Sequence, residues 1–252
     1  MAQKRLDRNQ LYYQQYYRFK GDRSWMKRIW REAFGEAFPE GVEHYAYLTT
    51  WDLEQISSKL ALPAGAQLLD IGCGKGGPGL KIAEKLGLQL TGMDIVPEAV
   101  EAANAFKDQF DLTHPATFSE GELLSIPLPD QSMDAAICID SIWSVHDKIQ
   151  ALREIKRVLK PGAPFVFTHW DLLSVEAVPL LEQSGMSFIS REDTPNWKEY
   201  QQKVYEGIKK YQQDLVTEMG DAAAMLLYEA QTSPAYLDLS VRRIYHMQSP
   251  AV

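Results

Sequence analysis

The amino-acid sequence predicts an α/β fold in which helices cover both faces of a doubly wound, mostly parallel sheet. Two observations predict this fold class. Between residues 66 and 169, short apolar runs alternate with stretches of helical periodicity, as expected for parallel strands joined by crossover helices. A glycine-rich turn follows the first apolar run and leads directly into a helical stretch. The 252 residues, 45% of them hydrophobic, are enough to bury a large core without disulfides.

The first two strands and their helices have clear boundaries. A buried strand is predicted at Ala66–Ile71 and a helix at Gly77–Leu86, where Pro78 suits the first helical turn. Leu88–Asp94 is predicted to be the second strand, and a helix follows from Pro97 to about Lys107. These segments form two consecutive strand–helix units.

Three more strands and one helix complete the central region. The apolar runs at Ala116–Ser119 and Asp134–Ile139 predict the third and fourth strands. In the helix that follows, apolar residues recur at helical spacing, Asp147 is suited to cap the start, and the turn at residues 160–162 ends it. Pro164–His169 is predicted to be the fifth strand.

The last part of the chain contains two further strands and an insertion. Val175–Gln183 predicts a helix, Met186–Ser190 a short strand and Leu237–Met247 the final strand. Between those two strands, at about residues 195–232, apolar and aromatic residues recur at steps of three and four. This spacing predicts a helical insertion with one apolar face.

Aromatic stripes predict helices in the N-terminal sixty residues. One stripe runs from Trp25 to Phe34, and the spacing from Tyr45 to Ile56 predicts another helix. We therefore expect residues 1–60 to form a helical lid segment. Residues 61–252 are expected to form the sheet domain, whose insertion completes the lid.

Charge and cysteine content exclude several classes of function. The net charge of −8 argues against binding of nucleic acid, which depends on clustered Lys and Arg. Cys73 and Cys138 lie in apolar runs and are expected to be buried, reduced thiols. No apolar run reaches the 18 residues of a membrane span, and the polar N-terminus differs from a signal peptide. We expect a cytoplasmic protein without a membrane partner.

The glycine loop after the first strand is the most informative segment. Glycine lets the main chain turn sharply and lets a ligand lie against it, while the helix that follows presents free N–H groups. Gly72, Gly74 and Gly77 fit the dinucleotide pattern, whereas Gly72, Gly74 and Gly76 fit the tighter G-x-G-x-G pattern. The glycines alone leave the choice of cofactor open.

The residues around these glycines resemble the class I S-adenosylmethionine-dependent methyltransferase family. The segment Asp70–Gly76 looks like the first motif of that family, in which the acid orders the methionine end of the cofactor. The resemblance implies this role for Asp70. Asp94 ends the next strand, with Ile95 beside it, and a carboxylate there can accept hydrogen bonds from ribose hydroxyls. NAD-dependent enzymes use the same position.

Two later segments extend the resemblance to about residues 66–171. Gly121–Asp134 is similar to the stretch before the fourth strand of the family, and Glu122 stands where the family usually has Asp. The resemblance implies that Glu122 accepts a hydrogen bond from the adenine amino group and that the Leu123 N–H meets a ring nitrogen. Leu152–Phe167 looks like the helix, Pro-Gly turn and fifth strand of the family. The family implies a Rossmann-like sheet of seven strands with the last one antiparallel.

The methyl acceptor is expected beyond the carboxyl ends of the fourth and fifth strands. Methyl transfer from a sulfonium needs alignment above all, and it needs a base only when the acceptor must lose a proton. Asp140 and His146 are our candidates for that catalytic base. No His, Cys and carboxylate spacing indicates a metal site. The side chains expected to contact the acceptor are Tyr17, Trp143, His169 and Trp197.

The sequence as a whole predicts S-adenosylmethionine-dependent methyl transfer to a carbon, nitrogen or oxygen of a small organic acceptor, such as a natural-product intermediate. Two alternatives stay open. One is a subunit that binds S-adenosylmethionine without catalysis. The other is an NAD-dependent oxidoreductase, which would require a second mononucleotide-binding half that the C-terminal pattern does not provide. The sequence leaves both a monomer and a homo-oligomer open.

Overall fold

The computed structural model describes residues 8–43 and 46–251. The described residues form seven strands, which are β1 (Gln67–Ile71), β2 (Gln89–Asp94), β3 (Ala116–Glu120), β4 (Ala135–Cys138), β5 (Pro164–Leu172), β6 (Ser187–Asp193) and β7 (Ser240–Gln248). They make one sheet in the order β3-β2-β1-β4-β5-β7-β6. β7 runs antiparallel to both of its neighbours, and all other neighbouring strands are parallel. The predicted fold class is confirmed.

The strand order reverses between β1 and β4. β1 pairs with β2 on one side and with β4 on the other, so the chain leaves the centre of the sheet in both directions. In open α/β sheets, ligands bind beyond the carboxyl ends of the strands at such a reversal. The topology therefore places the binding site above the ends of β1, β2 and β4.

The described residues also form ten α-helices, which are α1 (Arg8–Arg18), α2 (Ser24–Phe34), α3 (Thr50–Leu60), α4 (Gly77–Leu86), α5 (Pro97–Phe106), α6 (Lys148–Val158), α7 (Val178–Glu182), α8 (Trp197–Lys210), α9 (Gln212–Met219) and α10 (Ala224–Thr232). None of the helices in the described segments is long and apolar enough to span a lipid bilayer. α4 has the predicted bounds, and α5 and α6 lie where their patterns predict them.

Two apolar cores enclose the sheet. Successive side chains of a strand point to opposite faces, so Leu68 and Leu69 of β1 belong to different cores. α3, α4 and α5 cover the face of Leu68, while α6 and α7 cover the face of Leu69. α3 thus packs on the sheet, although it falls within the segment expected to form the lid.

A third apolar core joins α1 and α2 to α8, α9 and α10, and we call these five helices the lid. Trp30 of α2, Tyr205 of α8 and Leu226 of α10 are almost fully buried there. Glu218 of α9 accepts the backbone N–H groups of Ser24 and Trp25 at 2.8 and 3.1 Å, which ties the start of α2 to the insertion. The N-terminal helices and the insertion therefore pack as one unit.

The start of α3 differs from the sequence prediction. The aromatic spacing predicts a helix from residue 45, whereas α3 begins at Thr50. Thr49 and Asp52 form a capping box there, in which each side chain accepts the other residue's backbone N–H. This cap starts the helix five residues later than the aromatic pattern suggests, and Tyr45 lies outside the described residues.

Two later helices also differ from the sequence prediction. α7 is shorter than predicted because Pro179 lies in its first turn, where a missing N–H costs nothing, rather than in its interior. The insertion helix is interrupted at Tyr211, whose ring packs on Trp25 of α2 at a centroid distance of 4.9 Å. The break between α8 and α9 therefore lies at the point where the insertion contacts α2.

Candidate active site

The glycine loop between β1 and α4 adopts a conformation that favours glycine. Gly72, Gly74 and Gly76 have φ angles of +66°, +55° and +82°, in the left-handed region that L side chains rarely adopt. A Cβ atom at Gly72 would also clash with the side chain of Ser141, and one at Gly74 with the hydroxyl of Tyr17. The loop is therefore packed closely against Ser141 at Gly72 and against Tyr17 at Gly74, and these contacts hold its backbone in place.

Asp94 lies at the end of β2 directly beside this loop. Its carboxylate accepts the backbone N–H groups of Gly74 and Val96, each at 2.9 Å. Burial raises the pKa of Asp94, although these N–H groups oppose the shift. Ile95 packs partly buried against the lid core. The predicted ribose-binding carboxylate is thus held in place by the cofactor loop.

Asp70 is buried at the end of β1 and carries an unsatisfied oxygen. Only 2% of the residue is exposed, and Oδ2 has no hydrogen-bond partner among the described residues. Burial and the nearby charge of Asp94 raise the pKa of Asp70 to about 8. A buried acceptor without a partner is costly, so this position favours a ligand that brings a positive charge or a donor.

Glu122 and Leu123 follow β3 at the same edge of the sheet. Gly121 donates its N–H to the carbonyl of Asp94 at 3.0 Å, and Glu122 pairs with Ser125 in a short turn. Both Glu122 and Leu123 are partly buried. The structure therefore brings the predicted cofactor residues together above β1, β2 and β3.

These residues fit S-adenosylmethionine. The orphaned oxygen of Asp70 suits the amino group of the methionine end, and the carboxylate of Asp94 suits the ribose hydroxyls. The three glycines leave the main chain of the loop between them without side chains of its own at these positions.

A cavity of about 800 Å³ lies near the predicted cofactor residues. It lies between the ends of β4 and β5 and the lid, and its walls are mainly apolar and aromatic. Ser141, directly after the cavity residue Asp140, donates its hydroxyl to the carbonyl of Gly72 at 3.1 Å, which links the cavity to the glycine loop. Examples of its lining are Tyr47, Phe167, Trp170, Leu181, Tyr205 and Met225.

Asp140 lines this cavity but is held in a buried ion pair. Arg242 of β7 contacts it at 3.0 Å, Thr168 donates its hydroxyl at 2.6 Å, and Tyr47 donates its backbone N–H at 2.9 Å. Arg242 is fully buried and also pairs with Asp52 at 3.1 Å. A carboxylate with donors on both oxygens is poorly placed to take a proton. The geometry gives Asp140 an anchoring position instead of the expected base position.

Trp143 and His146 lie at the rim of the cavity. The Trp143 ring is 41% exposed, and its indole N–H donates to the carbonyl of Asp140 at 2.8 Å. His146 is exposed and also lines the cavity. Asp147 accepts the N–H of Gln150 at 2.9 Å, so its predicted role as the cap of α6 is confirmed.

His169 lines the cavity and is paired with a carboxylate that the sequence analysis did not assign. Its Nδ1 lies 2.9 Å from Oδ1 of Asp171, and both side chains face the cavity. Burial raises the pKa of Asp171, but hydrogen bonds from His169, Tyr245 and Arg243 outweigh it and hold the pKa below its ordinary value. The spacing of two residues on a strand was the available signal, because such residues share a face.

Tyr17 and Trp197, which were expected to contact the acceptor, lie outside the cavity. Tyr17 is buried with its hydroxyl against Gly74, and burial together with the charge of Asp94 raises its pKa. Trp197 packs against the lid core at the start of α8. Both positions result from helix packing, because the apolar face of a helix turns towards its neighbours.

Tyr13 belongs to the N-terminal aromatic residues expected in the lid, although Tyr17 was the one expected to contact the acceptor. It lines the cavity, and burial raises its pKa, with smaller contributions from the charges of Glu229, Asp94 and Asp140. Tyr13 therefore lies where the cofactor residues meet the cavity. Within the described segments, no group of three or more His, Cys, Asp or Glu residues is arranged to hold a metal ion.

Comparison with known families identifies the central region of the chain. Residues 69–167 match a family model described as a methyltransferase domain. The sterol 24-C-methyltransferase ERG6B of Gibberella zeae is 30% identical over 156 residues, which cover 61% of this chain and 38% of that protein. Norajmaline N-methyltransferase of Rauvolfia serpentina is 37% identical over 103 residues, or 41% of this chain and 35% of that protein. The chain thus matches less than half the length of these curated relatives.

Solved structures show the same fold at lower identity. The [4+2]-cyclase SpnF is 23% identical with a TM-score of 0.71, over 90% of this chain and 93% of that chain. Phosphoethanolamine N-methyltransferase 2 of Haemonchus contortus, solved with S-adenosyl-L-methionine, is 18% identical with a TM-score of 0.68, over 92% and 61%. The matched domain, the sheet order and the glycine loop agree with one another: residues 69–167 form a methyltransferase domain, and the chain has the fold of class I S-adenosylmethionine-dependent methyltransferases.

Proposed function

We propose that this protein transfers the methyl group of S-adenosylmethionine to a small, largely apolar organic acceptor bound in the cavity. The observation that carries the proposal is the continuity between the two halves of the site. Ser141 bonds to the carbonyl of Gly72 in the cofactor loop, and its neighbour Asp140 lines the cavity. An acceptor in the cavity is therefore next to the cofactor residues.

The cofactor is held by carboxylates at three strand ends. In this proposal Asp70 binds the amino group of the methionine end, Asp94 binds the ribose hydroxyls, and Glu122 with the Leu123 N–H binds the adenine. When bound, S-adenosylmethionine supplies an electrophilic methyl group on a positively charged sulfur. Burial and the charge of Asp94 raise the pKa of Asp70, and a bound cation would favour its ionised form and relieve the cost of burying that charge.

The cavity contributes alignment and exclusion of water. Its mainly apolar walls suit an acceptor with an apolar body, and a volume of about 800 Å³ fits a molecule of several fused rings. Removal of water strengthens the attraction between an electron-rich acceptor atom and the methyl group. Trp143 and His146 at the rim are proposed acceptor contacts, while Asp140 fixes the end of β4 through Arg242.

The curated relatives support this class of acceptor. Their names describe methyl transfer to a sterol and to norajmaline. A sterol is a polycyclic, largely apolar molecule, and the apolar cavity of this chain is compatible with a ligand of that kind.

The test has two stages. Calorimetric titration with S-adenosylmethionine, S-adenosylhomocysteine and NAD should show binding of the first two only, and binding of NAD alone would overturn the cofactor assignment. Incubation with radiolabelled S-adenosylmethionine and a panel of apolar phenols, aryl amines and sterols should then transfer label to at least one acceptor. Heat-denatured protein is the blank.

A second candidate uses the same site without methyl transfer. It is favoured by the similarity to the [4+2]-cyclase SpnF, a structure of the same fold whose name describes a different reaction. In that case the protein binds S-adenosylmethionine and an apolar ligand but never forms S-adenosylhomocysteine. Release of S-adenosylhomocysteine in step with acceptor consumption separates the two functions.

A further inference from the structure

A histidine–aspartate pair lies at the end of β5, on the wall of the cavity. His169 and Asp171 are two residues apart on the strand and therefore point to the same face. Nδ1 of His169 lies 2.9 Å from Oδ1 of Asp171, and the side chain of His169 is 20% exposed. The imidazole is thus accessible from the cavity, and its hydrogen bond to Asp171 fixes the orientation of the ring.

Asp171 is fixed as an ionised acceptor by its other contacts. Its Oδ2 accepts from Nη1 of Arg243 at 2.8 Å and from the hydroxyl of Tyr245 at 2.5 Å. The donors hold its pKa below the ordinary value despite burial. Since a carboxylate only accepts hydrogen bonds, Nδ1 of His169 carries the proton and Nε2 of the neutral ring carries the lone pair. The described residues provide no hydrogen-bond partner for Nε2.

The other two candidate bases lack this arrangement. Asp140 has donors on both carboxylate oxygens, including the buried Arg242. His146 is exposed at the rim, and none of the described residues orients its ring. Of the three groups, His169 alone combines a lone pair, an orienting carboxylate and a place on the cavity wall.

We propose that Nε2 of His169 accepts the proton of a hydroxyl group on the methyl acceptor, with Asp171 as its positioning residue. The proposal rests on the methyl transfer proposed above and names its acceptor class, an apolar molecule with a hydroxyl at the methylated position. The O–H bond breaks, the proton moves to Nε2, and the oxygen uses that electron pair to bond the methyl carbon. The bond between the methyl carbon and the sulfur breaks at the same time. The sulfur keeps the electron pair of that bond, so the sulfonium of S-adenosylmethionine becomes the neutral thioether of S-adenosylhomocysteine.

Charged and titratable side chains surround His169. Asp171 is hydrogen-bonded to its ring, and Arg243 is hydrogen-bonded to Asp171 in turn. Asp140 also lines the cavity and is paired with Arg242. The other titratable or charged groups that line the cavity are His146, Asp147 and Lys148 at the start of α6, Glu229 on α10, and the tyrosines Tyr12, Tyr13, Tyr47, Tyr205, Tyr228, Tyr236 and Tyr245.

The first test is a measurement of the tautomer and needs no acceptor. Nitrogen-15 NMR of histidine-labelled protein, with His169 assigned by the loss of its signals in His169→Gln, should show a protonated Nδ1 and an unprotonated Nε2 at pH 8. Asp171→Asn should mix the two tautomers, whereas Asp193→Asn, which removes the other partner of Arg243, should leave them unchanged. A ring protonated at Nε2 in the unmodified protein would overturn the proposal.

The second test measures methyl transfer to hydroxyl acceptors (2-naphthol, 4-phenylphenol and 17β-estradiol). His169→Gln should lower kcat by about 100-fold or more with unchanged binding of S-adenosylhomocysteine. His114→Gln, at the start of β3 on the opposite edge of the sheet, should keep kcat within about twofold. The acidic limb of the kcat/KM profile should disappear in His169→Gln, and Asp171→Asn should lower kcat because the ring loses its orienting carboxylate.

The outcomes separate the two proposals. If His146→Gln abolishes the acidic limb and His169→Gln leaves it in place, His169 is not the base. Label transferred only to amines or carbon atoms, with His169→Gln at full rate, also overturns the proposal. If no acceptor is labelled although S-adenosylmethionine binds, the proposed methyl transfer fails, and the NMR tautomer still decides whether His169 offers Nε2 to the cavity.

Discussion

At the scale of single residues, the site depends on carboxylates that differ in what surrounds them. Asp70 is buried with an unsatisfied oxygen, Asp94 is buried with two backbone donors, and Asp140 is neutralised by Arg242. Asp171 is buried with three donors of its own. Burial and hydrogen-bond partners set the charge and the free lone pairs of each carboxylate. The same type of side chain can therefore bind a cation, accept hydrogen bonds from ribose hydroxyls, anchor a strand or orient a histidine.

Asp94→Ala should weaken the binding of S-adenosylhomocysteine by about 1.5–3 kcal/mol. This is the range for charge-assisted hydrogen bonds lost at a buried site, and the variant also removes the acceptor of the Gly74 N–H. Calorimetry measures the loss, with Asp111→Ala as a matched control far from the loop. Equal affinities in the two variants would contradict the ribose assignment.

Asp70→Asn should change the pH dependence of stability. In the native state the pKa of Asp70 is raised to about 8, so folding favours its protonated form. The stabilisation is complete below the ordinary pKa of a carboxyl group and is lost as the pH rises through 8. Relative to Asp70→Asn, the unmodified protein should lose about 1 kcal/mol per pH unit between pH 5 and 8. Urea unfolding at pH 5, 6.5 and 8 measures this slope, and parallel curves would disprove it.

At the scale of elements, a buried ion pair joins four parts of the chain. Arg242 of β7 contacts Asp52 of α3, Asp140 after β4 and Thr194 after β6. Sequence patterns predict each of these elements separately, because helices and strands follow local periodicity. The pairing itself was not predicted, since Asp52 and Arg242 are 190 residues apart and no local spacing relates them.

Arg242→Met should destabilise the fold by about 3–5 kcal/mol, because it leaves Asp52 and Asp140 buried without their common partner. Arg31→Met removes an exposed ion pair with Glu40 and should change the stability by less than about 1 kcal/mol. The free energy of unfolding in urea compares the two variants. Similar losses would show that Arg242 contributes no more than a surface pair.

At the scale of the whole molecule, the lid connects both ends of the sequence to the site. α1 places Tyr17 against Gly74 of the cofactor loop and Tyr13 at the cavity, while α8 and α10 of the insertion provide Tyr205 and Met225. The lid core is distinct from the two cores of the sheet, although Ala99 of α5 belongs to it and Trp170 of β5 packs against it. The lid thus covers the cavity from the side opposite the strand ends.

Binding of S-adenosylhomocysteine should slow hydrogen exchange in α1 and in the glycine loop. The contact of Tyr17 with Gly74 couples the order of α1 to that of the loop, so a ligand that fixes the loop also favours the closed helix. Exchange in α3, which packs on the sheet, serves as the internal control and should not change. Exchange in α1 that is equal with and without the ligand would rule out this coupling.

The sequence by itself determined the sheet, its connecting helices and the cofactor loop. Hydrophobic periodicity and the positions of glycine and proline act within a few residues, so β1 to β5, α4 and the G-x-G-x-G turn can be predicted locally. Only the tertiary structure decided that Asp140 is paired with Arg242, that Trp197 and Tyr17 pack away from the cavity, and that Tyr13 faces it. These outcomes depend on which distant surfaces meet, and burial and charge pairing between distant segments arise only when the whole chain has folded.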